Sequence, residues 1–71
     1  MNNTKTYIQE INAKKIRKGF YIRSSDMITF QKVTKVIRYG SYSRFHLDIN
    51  DGHLARLELW NGTDVEQLIN S

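Results

Sequence analysis

The sequence predicts one small, mainly β domain, and three observations support this fold class. The chain has 71 residues, which is room for a single domain only. β-Branched and aromatic residues concentrate in residues 29–60, where strand-like segments alternate with turn-forming ones. No internal repeat or Gly/Pro-rich linker divides the chain. We therefore expect residues 1–6 to be frayed and residues 7–71 to form one small β domain.

The N-terminal part is predicted to hold a helical turn and a short strand. Residues 7–11 fit either a short strand or a helical turn. Asn12 stands at an N-cap position before a helical turn near residues 12–18, and Gly19 follows as its stop signal. A strand is expected at residues 20–23, ahead of a polar turn segment.

A three-strand meander is predicted for residues 29–60. Residues 29–39 have strand composition, but their apolar side chains recur every three residues, so we expect a bulge near Gln31-Lys32. Residues 44–49 alternate between apolar and polar side chains, which is typical of a half-buried strand. Residues 53–60 complete the meander.

The two connecting turns predict the register of this meander. Gly40-Ser41 suits a two-residue turn, and residues 50–52 suit a three-residue turn with left-handed Gly52. A two-residue turn at Asp51-Gly52 would place Leu47 opposite Arg56, so that the apolar faces disagree. The pairs expected are Tyr39–Tyr42, Ile37–Arg44, Val36–Phe45, Arg44–Glu58, Phe45–Leu57, Leu47–Ala55 and Ile49–His53.

This register divides the meander into two faces. The face predicted to form the core holds Thr34, Val36, Phe45, Leu47, Ile49, Ala55, Leu57 and Leu59. The opposite face, called here the polar face, holds Val33, Lys35, Ile37, Tyr39, Tyr42, Arg44, His46, Asp48, Leu54, Arg56, Glu58 and Trp60.

The segment after Trp60 has two interpretations. Asn61-Gly62 breaks the strand, and Thr63 with Glu66 fits a helical capping box. The same residues fit a short closing strand. The helical turn is slightly favoured, and the whole domain is expected to have four to five strands.

The sequence resembles small SH3-like barrels, including KOW-type domains, and short phage and mobile-element proteins. The residues that carry the likeness are Ile11-x-Ala13-x-x-Ile16-x-Lys18-Gly19 leading into Phe20-Tyr21-Ile22, then Phe30-x-x-Val33-Thr34-x-Val36, Asp51-Gly52, Leu57-x-Leu59 and Thr63-Asp64-Val65-x-x-Leu68. The likeness implies a small SH3-like barrel or a strongly bent antiparallel sheet. It implies no particular function, because this fold hosts many.

Charge and composition narrow the classes of partner. The net charge is +4, yet residues 1–44 carry ten of the eleven Lys and Arg residues. This asymmetry suggests an anionic partner; the alternative is that the two parts of the chain neutralise each other in the fold. There is no cysteine, and two histidines are too few for a zinc site, so we expect no metal and no cofactor. No long apolar segment or signal peptide is evident, and we expect a soluble, cytoplasmic protein without membrane contact.

The polar face is the first candidate site. Tyr39, Tyr42 and Trp60 are expected to cluster at one end of it, where their rings offer stacking surfaces for bases. Cations that would hold phosphates flank them, namely Lys35, Arg44, His46 and Arg56. The alternative, which is somewhat favoured, is that the rings only pack across strands under cover of the N-terminal segment.

The second candidate site is a basic run on the predicted helical turn. It consists of Lys14, Lys15, Arg17 and Lys18. Such a run can hold a phosphate backbone through contacts that do not depend on base sequence. The alternative is a solvated surface around the buried anchor Ile16.

Two functional hypotheses follow. No nucleophile, phosphate-loop or carboxylate-pair pattern is present, so we expect a non-enzymatic binding module. The first hypothesis is binding of nucleic acid, DNA or RNA, through the basic and aromatic side chains. The alternative is a protein-interaction module, a mobile-element regulator of a host protein or a self-associating subunit, because Tyr, Trp and Arg are also favoured in protein interfaces.

Overall fold

The computed structural model describes residues 5–48 and 54–70, and the mainly β class is confirmed. The strands are β1 (Thr6–Asn12), β2 (Tyr21–Arg23), β3 (Gln31–Tyr39), β4 (Tyr42–Asp48), β5 (Leu54–Trp60) and β6 (Asp64–Asn70). The described residues thus form six strands, more than the four to five expected. The predicted helical turn is a short 3₁₀ turn at Ala13–Lys15.

All six strands belong to one antiparallel sheet. Its order is β1-β6-β2-β3-β4-β5, so β1 and β5 are the two edge strands. The chain therefore returns after the meander to place β6 between β1 and β2. β1 begins at Thr6, inside the segment expected to fray, and Thr6 donates a hydrogen bond to Asn70 across the β1–β6 pair.

The register of the meander agrees with the turn chemistry. Every predicted pair in the described residues is present. The predicted Ile49–His53 pair and the turn at residues 50–52 lie outside the described residues. Because a slip of one residue would exchange the two faces, this register decides which side chains share a surface.

The bulge in β3 lies at a different place from the one predicted. Val33 pairs with Leu47 and Lys35 pairs with His46, which leaves Thr34 as the extra residue. Its hydroxyl donates to the His46 carbonyl at 3.1 Å. The placement of Val33 on the polar face was therefore wrong, because a bulge at Thr34 turns Val33 into the core, where it is fully buried.

The C-terminal segment is a strand, and its preferred interpretation as a helical turn was wrong. β6 pairs with β1 on one side and with β2 on the other. Glu66 does not cap a helix but accepts hydrogen bonds from Arg23 at 2.8 and 3.1 Å. β6 gains backbone hydrogen bonds along both of its edges, and these outweigh a local capping pattern. The partner strands are distant in sequence, so the capping pattern alone does not predict this outcome.

The core lies on the side of the sheet opposite the polar face. Its buried apolar members are Ile11, Ala13, Ile16, Ile22, Val33, Phe45, Leu47, Leu59 and Val65. They come from all six strands and from the segment around the 3₁₀ turn. Val36, Ala55 and Leu57 pack against this cluster while remaining partly exposed.

The side chain of Arg38 connects the 3₁₀ turn to the core side of the sheet through hydrogen bonds. Arg38 donates to the carbonyl oxygen of Ala13 at 2.9 Å and to that of Ile16. It also donates to the Ser43 hydroxyl at 3.0 Å, and its guanidinium carbon lies 5.7 Å from the centre of the Phe45 ring. Two backbone carbonyls of the turn are thereby satisfied by one charged side chain.

Replacing Arg38 with Met is expected to lower the free energy of unfolding by about 1–3 kcal/mol, because carbonyl groups of the turn lose their charged donor. Urea denaturation followed by circular dichroism measures this change. The exposed Arg17 is the matched control, and Arg17→Met should change stability by less than about 0.5 kcal/mol. Equal losses in the two variants would contradict the role given to Arg38.

Candidate functional site

Three aromatic side chains meet at one end of the polar face and form what we call the aromatic platform. Tyr39 and Tyr42 stack with ring centres 4.9 Å apart and an angle of 17° between the rings. Tyr42 and Trp60 meet edge to face at 5.7 Å. The platform thus runs across β3, β4 and β5 in one row, as the register predicts.

The backbone around the platform is fixed by two turns that bond to each other. Gly40 adopts a positive φ of 67°, a conformation that favours glycine at this tight β3–β4 turn. Asn61 donates its backbone N–H to the Ser41 carbonyl at 3.0 Å and its side-chain amide to the Gly40 carbonyl. The β3–β4 turn and the end of β5 are therefore held together directly beside the three rings.

The platform is accessible from solvent. Trp60 is 67% exposed and Tyr39 is 40% exposed, while Tyr42 lies half-buried between them. The N-terminal segment does not cover them, because β1 pairs with β6 at the opposite edge of the sheet. The rings therefore pack across strands and are also available to a ligand.

Arg44 supports the aromatic platform, and its charge is already paired. Its Nε and Nη2 atoms donate to Glu58 Oε2 at 2.9 and 2.8 Å, and its guanidinium carbon lies 5.4 Å from the centre of the Tyr39 ring. The hydrogen bond to Glu58 and the nearby Tyr39 raise the pKa of Arg44 above its ordinary value. The positive charge of Arg44 is thus permanent and largely matched by a carboxylate.

The polar face carries basic residues on all three strands two rows away from the aromatic platform, beyond the row of Ile37, Arg44 and Glu58. His46 pairs with Lys35 on one side and with Arg56 on the other. Lys35 and Arg56 are exposed and make no ion pair within residues 5–48 and 54–70. These two cations are therefore available to phosphates on the same face of the sheet as the aromatic platform.

The basic run lies at the same end of the molecule as the platform. Lys14, Lys15, Arg17 and Lys18 are all exposed. Ala13 donates its N–H to the Thr63 carbonyl at 2.9 Å, which joins the 3₁₀ turn to the β5–β6 turn. Lys14 and Lys15 line one shallow groove with Asn12, Asn61 and Gly62. This groove begins one residue after Trp60.

Sequence reasoning missed the role of Asn12, Asn61 and Gly62 in this groove. It assigned Asn12 to a helix cap, which is correct, since its side chain accepts from the Lys14 N–H at 3.0 Å. The 3₁₀ turn and the β5–β6 turn lie close together because β6 inserts between β1 and β2. No local sequence pattern predicts that insertion. The aromatic platform and the basic run are brought to one end of the molecule, on different sides of the sheet, whereas Lys35, His46 and Arg56 lie two rows away from the platform along the strands.

Other site types find little support in the described part of the chain. No group of three or more His, Asp or Glu side chains there is arranged to hold a metal ion. No helix among these residues is long and apolar enough to cross a membrane. His53 lies outside the described residues. No known protein family, curated protein or solved structure matches the chain, so the SH3-like resemblance stays a prediction.

Trp60 is the sole tryptophan, so fluorescence reports the platform directly. We expect an emission maximum close to that of tryptophan in water, because most of the side chain is exposed. Iodide should quench this emission more strongly than caesium at equal ionic strength, since the charges around Trp60 are net positive, with Arg44, Lys14 and Lys15 against Glu58. Neutral acrylamide is the control for accessibility. Stronger quenching by caesium than by iodide would contradict the charge assignment.

Proposed function

We propose that the protein is a non-enzymatic binding module for single-stranded nucleic acid. The observation that carries this proposal is the exposed row of three aromatic rings, on whose face Lys35 and Arg56 lie two rows away and have no acidic partner among the described residues. Flat rings stack on bases of any sequence, because every base has a π-face, and each such interaction contributes about 1–3 kcal/mol. Nearby Lys and Arg side chains attract the phosphates.

The two outer rings are the ones that would contact bases. The Tyr42 ring is contacted on both sides by the rings of Tyr39 and Trp60. Trp60 and Tyr39 each keep an exposed surface. A strand lying along the row would place successive bases on these two rings. Lys35 and Arg56, two rows farther along the same face, would hold phosphates of nucleotides beyond those stacked on the rings.

The basic run extends the same surface around the end of the sheet. The groove lined by Lys14 and Lys15 starts beside the turn that follows Trp60. A nucleic-acid strand leaving Trp60 can therefore continue between basic side chains. Such interactions are independent of base sequence, and they support a module with low sequence specificity.

Trp60→Ala is expected to weaken binding of oligo-dT and oligo-U by about 5- to 150-fold, because one base no longer has a ring to stack on. Fluorescence anisotropy of labelled oligonucleotides measures the change, and Trp60→Phe should retain most of the affinity. Tyr21→Ala is the control, because Tyr21 is also an exposed aromatic residue, at 42%, yet pairs with Lys32 at the other end of β3. No binding by the unaltered protein at low salt would refute the proposal.

The double variant Lys14→Ala, Lys15→Ala is expected to weaken binding equally for all base sequences. The slope of log affinity against log salt should fall by about 0.7 for each phosphate that these lysines neutralise in the unaltered protein. Lys32→Ala is the control, since Lys32 is exposed but stands opposite Asp48, away from the platform. An unchanged slope in the double variant would exclude the basic run from the site and leave the platform alone.

A further inference from the structure

The outer edge of β5 is a second candidate surface, because its backbone N–H and C=O groups are not paired with another strand among the described residues. β5 ends the strand order, and no other strand among the described residues pairs with that edge. Exposed sheet edges are usually protected by proline, a bulge or a short strand. β5 has seven residues without proline and pairs with β4 without a bulge. Charged side chains also protect edges, but the two in β5, Arg56 and Glu58, have opposite signs, so this edge can pair with a strand of complementary charge.

The ladder geometry determines which backbone groups face outward. Asn61 donates to the carbonyl of Ser41, which is the residue opposite it when the β4–β5 register is continued. Hydrogen-bonded and non-hydrogen-bonded pairs alternate in an antiparallel ladder. Leu57 and Leu59 therefore bond to β4, whereas Arg56 and Glu58 direct their N–H and C=O groups to the free edge.

We propose that two copies of this chain pair through their β5 edges, antiparallel and about a two-fold axis at Leu57. The two-fold axis must pass through a residue and not between two residues. Only then do the residues whose N–H and C=O groups face outward lie opposite the same kind of residue in the other copy. An axis at Arg56 or at Glu58 would place like charges opposite each other. The axis at Leu57 places Arg56 opposite the partner's Glu58, and Glu58 opposite the partner's Arg56. It also pairs all seven residues of the strand.

The side chains at this seam are complementary in their unused hydrogen-bonding groups. Both bonds from Arg44 go to Glu58 Oε2, so Glu58 Oε1 has no hydrogen-bond partner among the described residues. The Glu58 side chain is 51% exposed. Arg56 is exposed and has no acidic partner in the described part of its own chain. Each copy thus offers one free carboxylate oxygen and one free guanidinium where the other needs them.

The core side of the seam is complementary as well. Ala55 and Leu57 remain partly exposed beside an apolar groove that also involves Met27 and Ile28, and Ile28 is 90% exposed. Pairing about Leu57 sets Leu57 against the partner's Leu57 and Ala55 against the partner's Leu59. This arrangement is isologous, so it closes at two copies and does not propagate.

This dimer does not rest on the proposed nucleic-acid binding, but it would engage Arg56 and leave Lys35 as the free cation of that row, and its test uses nuclease-treated protein without a ligand. Sedimentation equilibrium should show association of the 8.4 kDa chain to a dimer. Arg56→Glu should raise the dimer dissociation constant about tenfold or more, because two attractive pairs become repulsive. Adding Glu58→Arg to that variant should restore part of the affinity, because it forms both seam pairs again but removes the Arg44–Glu58 ion pair within each copy. Lys35→Glu is the matched control, since it makes the same charge change on interior strand β3, and it should leave association unchanged.

A backbone variant completes the test. Arg56→Pro removes an outward N–H while sparing the β4–β5 ladder, so the monomer should keep its circular dichroism spectrum and lose association. A protein that stays monomeric at all concentrations would overturn the proposal. So would a dimer that is insensitive to both Arg56→Glu and Arg56→Pro, which would assign association to another surface, such as the β1 edge.

Discussion

The pairing of β4 with β5 is the constraint on which the rest of the molecule depends. Phe45 faces Leu57 and Leu47 faces Ala55, so apolar side chains of both strands enter the core together. The same register sends Arg44 to Glu58 on the opposite face. Because side chains alternate along a strand, the buried face cannot shift without moving the aromatic row, the cation row and the charge pattern of the free edge.

The elements that the sequence predicted correctly have local causes. Gly40 and the alternation of residues 44–49 determine one hairpin and one face with no help from distant parts of the chain. The bulge and β6 have non-local causes. Thr34 becomes the extra residue because Val33 fits the core, and residues 64–70 become a strand because β1 and β2 flank them. A capping pattern is visible in sequence, but the neighbours that override it are not.

The candidate site divides in the same way. The row of Tyr39, Tyr42 and Trp60 follows from two turns, and the sequence was sufficient to predict it. The approach of the basic run to the end of β5 was not predictable. It depends on the Ala13–Thr63 hydrogen bond and on Arg38, which reaches back to a segment more than twenty residues earlier. Arg38 gives no signal in sequence, since an arginine beside a turn has the appearance of a surface charge.

The charged side chains of the polar face are of two kinds: those paired within the fold and those without an acidic partner among the described residues. Arg44 is engaged with Glu58 and with the Tyr39 ring, so removing its charge would disturb the platform without removing a cation that phosphates can reach. Lys35 and Arg56 have no acidic partner among the described residues and add positive potential on one side of the rings. Tyr42 belongs with Arg44, because it is clamped between two rings. A ligand bound as proposed would meet the two outer rings, Tyr39 and Trp60, and the unpaired cations, while Tyr42 and Arg44 hold these groups in place.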